Sequence, residues 1–232
     1  MNQAQYQQSK DEYLKLGGRI DSEDKRLSDD SPTYGGDPHY MFMGMWAFEQ
    51  IRKHCKGRHV DVGGQVTMLG YLTRFVPVLH VDVRTPMLTL CNFAYMKGSV
   101  LDLKIPSGAV ESLSCLHVLE HVGLGRYGDD IDPDGFNKAC KELRRVLKPG
   151  GMLYIAFPVG QERTVFNAHR VIPAEEIQKH FGDMELVNME GITTEGSTVK
   201  SDMKGEYDIM SDPMNAEEYG CGCYAFRNPS ES

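Results

Sequence analysis

The sequence predicts a single α/β domain with a mostly parallel sheet covered by helices on both faces. Three observations carry this prediction. Short β-branched, apolar runs alternate with helical stretches through the middle of the chain, Gly63-Gly64 closes the first such run, and a strongly amphipathic segment at residues 136–147 precedes another. With 232 residues, the chain can bury a sizeable core in one domain but falls short of two comfortable ones.

The elements follow in order. The first 30 residues are polar and carry the charge run 21–26 and the pair Asp29–Asp30. They read as a solvated arm or short helix, the sharper alternative being a flap over a site. Residues 31–38 are rich in turn formers, and a helix containing the single tryptophan, Trp46, is expected over 40–54. Residues 1–56 thus form an N-terminal arm and helix, a candidate lid, and residues 57–228 form the main domain. Strands are expected at 58–62, 76–83, 93–96, 111–117 and 152–158, with a helix at 66–75 after the first. In the helix at 136–147, Phe136, Ala139, Cys140, Leu143, Val146 and Leu147 share one face, and Pro149-Gly150-Gly151 stops it. A helix at 173–181, a strand at 184–189 and a closing strand at 219–227 complete the pattern, with a polar, Gly-rich excursion at about 190–218.

Composition narrows the function classes. Apolar residues make up 41% and charged residues 25%, an ordinary globular balance. No run approaches the roughly 18 apolar residues of a membrane span. Residues 1–10 are Gln-rich and lack a signal-peptide core, so a cytoplasmic protein is expected. A formal charge of −8 argues against a nucleic-acid partner, because phosphate contacts come mainly from Lys and Arg. The six cysteines are scattered, and Cys221 and Cys223 lack the usual zinc spacing. They read as structural thiols, without a disulfide framework.

Ligands of doubly wound sheets sit at the carboxyl ends of the strands. There the first strand ends in Asp61-Val62-Gly63-Gly64-Gln65, and Asp82 closes the second strand 21 residues after Asp61. A spacing of roughly 20 suits a carboxylate that grips ribose hydroxyls. Four segments then appear in order: Asp61-Val62-Gly63-Gly64, Val81-Asp82-Val83-Arg84, Cys115 to Val122 and Leu143 to Gly151. Together, over residues 58–190, they resemble the class I S-adenosylmethionine-dependent methyltransferases. The resemblance implies a Rossmann-like seven-stranded sheet with its last strand antiparallel. It also implies S-adenosylmethionine held by Asp61, Gly63, Gly64, Asp82, Ser99 and Val100. Gln65 stands where the family customarily has glycine, and Ser99 where it often has an acid. Asp37-Pro38-His39-Tyr40 with Trp46-Ala47, the segment 123–129 and Phe166-Asn167-Ala168-His169-Arg170 look like a narrower, uncharacterised methyltransferase-like family. Its members often accompany genes for surface polysaccharides.

His117, Glu120 and His121 are spaced i, i+3, i+4, and His169 belongs at the same sheet edge. One reading is a hydrogen-bonded wall of the pocket. A second, a zinc protease with an H-x-x-E-H helix, conflicts with the strand before His117. The third is a divalent metal (zinc, manganese or iron) on His117, Glu120, His121 and His169, as the resemblance to metal-dependent O-methyltransferases implies. Without a metal, His169, His121 and Glu120 are the candidates for proton transfer, with His169 preferred as the base. Arg126, Tyr127 and Arg170 are candidate substrate contacts. Asp130-Ile131-Asp132-Pro133-Asp134-Gly135 matches half of a calcium loop, but Lys141 occupies the position of its bidentate Glu, and the segment reads as a helix-capping loop. The functional expectation is methyl transfer to a hydroxyl of a sugar or glycan precursor. The alternatives are a non-catalytic binding or regulatory protein of the same fold and an RNA 2′-O-methyltransferase.

Overall fold

The computed structural model describes residues 3–16, 20, 37–193, 197–200 and 219–230, and for Val199 and Lys200 the backbone alone. The chain forms two units, 1–36 and 37–232. Within the first, α1 (Gln3–Lys15) is a polar helix that buries none of its residues. The expected flap falls mostly on residues outside those described.

The second unit opens with α2 (Pro38–His54). Asp37 caps it by accepting a hydrogen bond from the His39 N–H at 2.9 Å, Pro38 occupies the first turn, and Arg52, Lys53 and His54 end it. Met43, Trp46, Ala47, Gln50 and Ile51 fall at i, i+3, i+4, i+7 and i+8 and are buried. This burial corrects the expected boundary at 56/57: the helix belongs to the main domain, and the division falls between residues 36 and 37.

The strands are β1 (His59–Val62), β2 (Val78–Asp82), β3 (Phe93–Lys97), β4 (Val110–Leu116) and β5 (Leu147–Val159), followed by a separate hairpin of β6 (Arg163–Val165) and β7 (His169–Val171). β8 (Glu185–Ile192), β9 (Thr198–Lys200) and β10 (Gly220–Arg227) complete the set. The main sheet runs β3-β2-β1-β4-β5-β10-β8-β9. Its first five strands pair in parallel, and β10 runs antiparallel between β5 and β8. This is the expected seven-stranded sheet with an antiparallel closing strand, and β9 adds a three-residue edge. The hairpin and β9 were not foreseen. The polar excursion begins only after Ile192, and most of it lies outside the described residues.

Side-chain parity divides the core between the two faces. Leu153, Ile155 and Phe157 of β5 and Tyr224 and Phe226 of β10 pack with α4 (Gly135–Val146) and α5 (Ala174–Phe181). Met152, Tyr154 and Ala156 of β5, with Cys221, Cys223 and Ala225 of β10, pack with α2 and α3 (Val66–Leu72). Burial on both faces explains why these strands read as continuous apolar runs. α4 stops at Val146, one residue before the expected end, and Leu147-Lys148-Pro149-Gly150-Gly151 already runs within β5. Asp134 takes the N-cap position of α4, but its carboxylate accepts from the Asn137 amide and not from a backbone N–H.

Candidate active site

A crevice opens at the carboxyl ends of β1, β2 and β4. It contains a cavity of about 400 Å³ lined in part by Gly63, Asp82, Ser99, Val100, His117 and His121. A second cavity, of about 450 Å³, shares Gly63, Asp82, Arg84, His117 and Tyr127 with the first and adds Gly64, Gln65 and Tyr40. Both volumes suit a small-molecule ligand. Gly63 has φ +69°, and a Cβ there would lie 2.7 Å from Val118 Cγ2, so the loop needs glycine both for its backbone conformation and for its packing. Val62, Val81, Val100, Leu101 and Val118 give the first cavity apolar walls.

Asp82 closes β2 as expected. It accepts hydrogen bonds from the Arg84 backbone N–H at 2.7 Å and from the Arg84 guanidinium at 3.2 Å through each oxygen. Burial alone would raise the Asp82 pKa, but the Arg84 side chain and backbone outweigh it and hold the carboxyl below its usual range. The Arg84 guanidinium also lies over the Tyr127 ring, 4.8 Å from its centroid. Arg84 and Tyr127 thus stand together where the two cavities meet.

Asp61 was expected beside the cofactor, but it is fully buried and lines neither cavity. It accepts from the Gly64 N–H at 2.9 Å and the Ser114 hydroxyl at 2.5 Å, and His80 Nδ1 lies 2.8 Å from it. Its role is to hold the glycine turn from beneath. Because the Ser114 hydroxyl donates to Asp61, it must accept from His59 Nε2, 2.9 Å away, which leaves His59 Nδ1 to accept from Ser112 at 2.8 Å. His59 is therefore neutral in the folded state. Burial pushes its pKa down to about 4, and nearby Asp61 opposes that only in part. A histidine depressed in the folded state contributes full stability above its unfolded value of about 6.5, and that contribution fades as pH falls toward 4. We expect wild type to lose about 3 kcal/mol more stability than His59→Gln between pH 7 and pH 4, read by urea denaturation. A difference between the two proteins that does not change with pH would refute this assignment.

The chain leaves β4 at His117, which adopts a left-handed backbone with φ +54°. Such a conformation is costly for a non-glycine residue and re-aims the ring at the crevice floor. A single 3-10 turn, Leu119–His121, follows where helical spacing was expected. Glu120 is fully buried, 3.0 Å from His117 Nδ1 and 3.6 Å from His121 Nε2. No donor meets either of its carboxylate oxygens with hydrogen-bond geometry. Burial would raise the Glu120 pKa, but His117 and His121 override it and hold the group low. His121 Nδ1 lies 2.7 Å from the Ala168 carbonyl and must donate to it, so Nε2 carries the lone pair. Burial lowers the His121 pKa, against an opposing pull from Glu120.

The expected metal set does not gather. His117, Glu120 and His121 are adjacent, but His169 sits on the β6–β7 hairpin, lines neither cavity and packs its ring 4.9 Å from that of Tyr219. Among the described residues, the His/Cys/Asp/Glu group whose ligand atoms lie within 4.8 Å of one another is His39, His117 and Cys221. The left-handed turn at His117 points Nε2 to Cys221 Sγ, 3.3 Å away. Of the expected substrate contacts, Tyr127 lines both cavities. Arg126 donates to the Ala168 carbonyl at 2.9 Å and Arg170 to the Val122 carbonyl at 2.6 Å, so both brace loops. Sequence reasoning missed Arg84 and Tyr40 on the crevice walls, and His39 and Cys221 beside His117. Arg84, Tyr40 and His39 lie within motifs visible in the sequence, whereas no spacing joins His39 to Cys221.

Strand order, the glycine turn and the crevice at the switch point together match a known architecture. The fold is that of the class I methyltransferases. The [4+2]-cyclase SpnF superposes with a TM-score of 0.59 at 15% identity, covering 97% of this chain and 95% of its own. The N-methyltransferase NodS of Bradyrhizobium japonicum WM9, in complex with S-adenosyl-L-homocysteine, gives 0.55 at 14% identity over 94% and 98%. A SAM-dependent methyltransferase of Methanosarcina mazei gives 0.52 at 15% over 78% and 98%. Residues 107–204 match the family described as Caenorhabditis protein of unknown function, DUF268. No curated protein matches the chain by sequence. No helix among the described residues is long and apolar enough to cross a membrane.

Proposed function

We propose that this chain is a cytoplasmic S-adenosylmethionine-dependent methyltransferase acting on a hydroxyl of a sugar or glycan precursor. The carrying observation is the crevice itself: an apolar slot beside a glycine turn, with Asp82 at its strand end and His121 on the same wall. Gly63 and Gly64 bring backbone close to the cofactor's methionine portion, Asp82 takes its ribose, and Ser99 and Val100 flank its base. When bound, the cofactor supplies an electrophilic methyl on sulfonium. Methylation of an acceptor oxygen in this crevice would release the hydroxyl proton, and His121 Nε2 would take it. Glu120, 3.6 Å away, stabilises the imidazolium. His121 replaces His169 as base because it lines the cavity.

Calorimetric titration of S-adenosylhomocysteine into the full chain tests the reading. Micromolar binding is expected, weakened about 10- to 100-fold in Asp82→Ala by loss of hydrogen bonds to a charged group. Absence of binding would overturn it. A second reading is favoured by the SpnF likeness: the same fold serves a [4+2]-cyclase, so cofactor binding without methyl transfer is the alternative. Methyl transfer to a panel of glycans from labelled cofactor separates the two. An RNA acceptor is disfavoured by the charge of −8.

A further inference from the structure

Three buried side chains from three separate elements converge beside the crevice. His39 lies in the first turn of α2, His117 follows β4, and Cys221 starts β10. Strand parity turns Cys221 toward the face covered by α2, and the antiparallel course of β10 brings its start beside Pro158, near the end of β5. Metal bonds of about 2.0–2.1 Å to nitrogen and about 2.3 Å to sulfur, in a tetrahedron, set neighbouring ligands roughly 3.3–3.6 Å apart. His117 Nε2 and Cys221 Sγ, at 3.3 Å, stand within about 0.3 Å of the roughly 3.6 Å that such a tetrahedron sets between a nitrogen and a sulfur ligand.

Glu120 supplies the independent observation. It is wholly buried, neither of its oxygens receives a well-aligned donor, and it faces His117 Nδ1 at 3.0 Å. A buried carboxylate is costly unless positive charge lies close by, and the groups nearest Glu120 are the His117 and His121 rings. Behind a histidine whose other nitrogen faces a thiol, it takes the place of the carboxylate in a carboxylate–histidine–metal arrangement.

We infer that His39, His117 and Cys221 hold one zinc-class divalent ion, with Glu120 orienting His117 from behind. Binding would displace the Cys221 thiol proton to solvent, and the ion's +2 charge would be balanced by that thiolate and the Glu120 carboxylate. Two imidazoles and a thiolate select zinc or cobalt over magnesium or calcium. Three protein ligands leave a fourth position, the pattern of catalytic zinc sites. Because His117 lines both cavities, the ion would stand beside the crevice. An oxygen, nitrogen or sulfur atom of a bound acceptor completes the shell there. Binding of the ion does not rest on the methyl-transfer reading; only its use to hold an acceptor does.

The test is titration of cobalt(II) into the full chain stripped of metal by chelation, followed by competition with zinc(II). One equivalent of cobalt is expected to give tetrahedral visible bands and a near-ultraviolet thiolate-to-cobalt band, both removed by one equivalent of zinc. Cys221→Ser loses the near-ultraviolet band, Glu120→Gln weakens binding about 10- to 100-fold, and His39→Ala weakens it by about 100-fold or more. Cys223→Ser and His169→Ala bind as wild type does. Absence of a thiolate band in the unaltered chain overturns the proposal, and that result needs no variant to fold. A band that survives in Cys221→Ser, or disappears in His169→Ala, overturns it equally. Cobalt binding with no S-adenosylhomocysteine binding would uphold the metal site while removing the proposed function.

Discussion

Replacing His121 with Ala is expected to lower kcat for methyl transfer by about 100- to 10,000-fold, the usual range for losing a positioned general base. The Kd for S-adenosylhomocysteine should stay within about twofold, because the proposed cofactor contacts lie in the Gly63–Gly64 turn after β1, at the end of β2 and in the loop after β3. Two features favour this residue as the proposed base. Its Nδ1 is committed to the Ala168 carbonyl at 2.7 Å, so the lone pair is at Nε2, and its ring lines the cavity while that of His169 does not. The edge of the Tyr127 ring, with centroids 5.6 Å apart, further limits its rotation. Single-turnover kinetics with labelled cofactor would measure the effect. Equal losses in His169→Ala and none in His121→Ala would return the base to the hairpin.

Asp61→Ala should be the most damaging single change to stability, at about 3–5 kcal/mol. One side chain there satisfies the Gly64 N–H, the Ser114 hydroxyl and His80, all inside the sheet and helix packing. Removing it strands three polar groups away from water, each costing about 1–3 kcal/mol when unpaired, with partial relaxation. The Gly63–Gly64 turn would lose its anchor, so cofactor affinity should fall with stability. Urea denaturation and cofactor calorimetry on the same variant would show both. Asp61→Asn, which keeps the volume and one acceptor, should recover part of each. A variant as stable as wild type would show that the turn is held by other means.

The sheet was legible because each of its signals is local. Alternation of apolar runs with helical faces marked β1 to β5 and α4, and Gly63-Gly64 marked the turn. What the sequence concealed depends on distance. Burial of Met43, Trp46 and Ile51 drew α2 into the main domain, and a helix pattern does not reveal which unit receives its apolar face. The spacing of His117, Glu120 and His121 implied one helical face, but a left-handed residue and a single 3-10 turn bring them together instead, with His117 Nε2 aimed at Cys221. His39 and Cys221 meet only because β10 inserts antiparallel beside β5, a pairing that no spacing rule reveals. Arg84 lay in plain view after Asp82, yet nothing in its neighbours announced that it would clasp that carboxylate.

The position of β10 also sets an order on biosynthesis. It lies between β5 and β8, both translated earlier, and these two neighbours cannot hydrogen-bond across the gap it fills. A ribosome-bound chain that has emerged only as far as β8 therefore carries two facing, unpaired strand edges, an arrangement prone to capture by other chains. The same late insertion delivers Cys221 to His117. Closure of the sheet and completion of the thiol–imidazole cluster are thus a single event, and a chain arrested before it would expose both defects together.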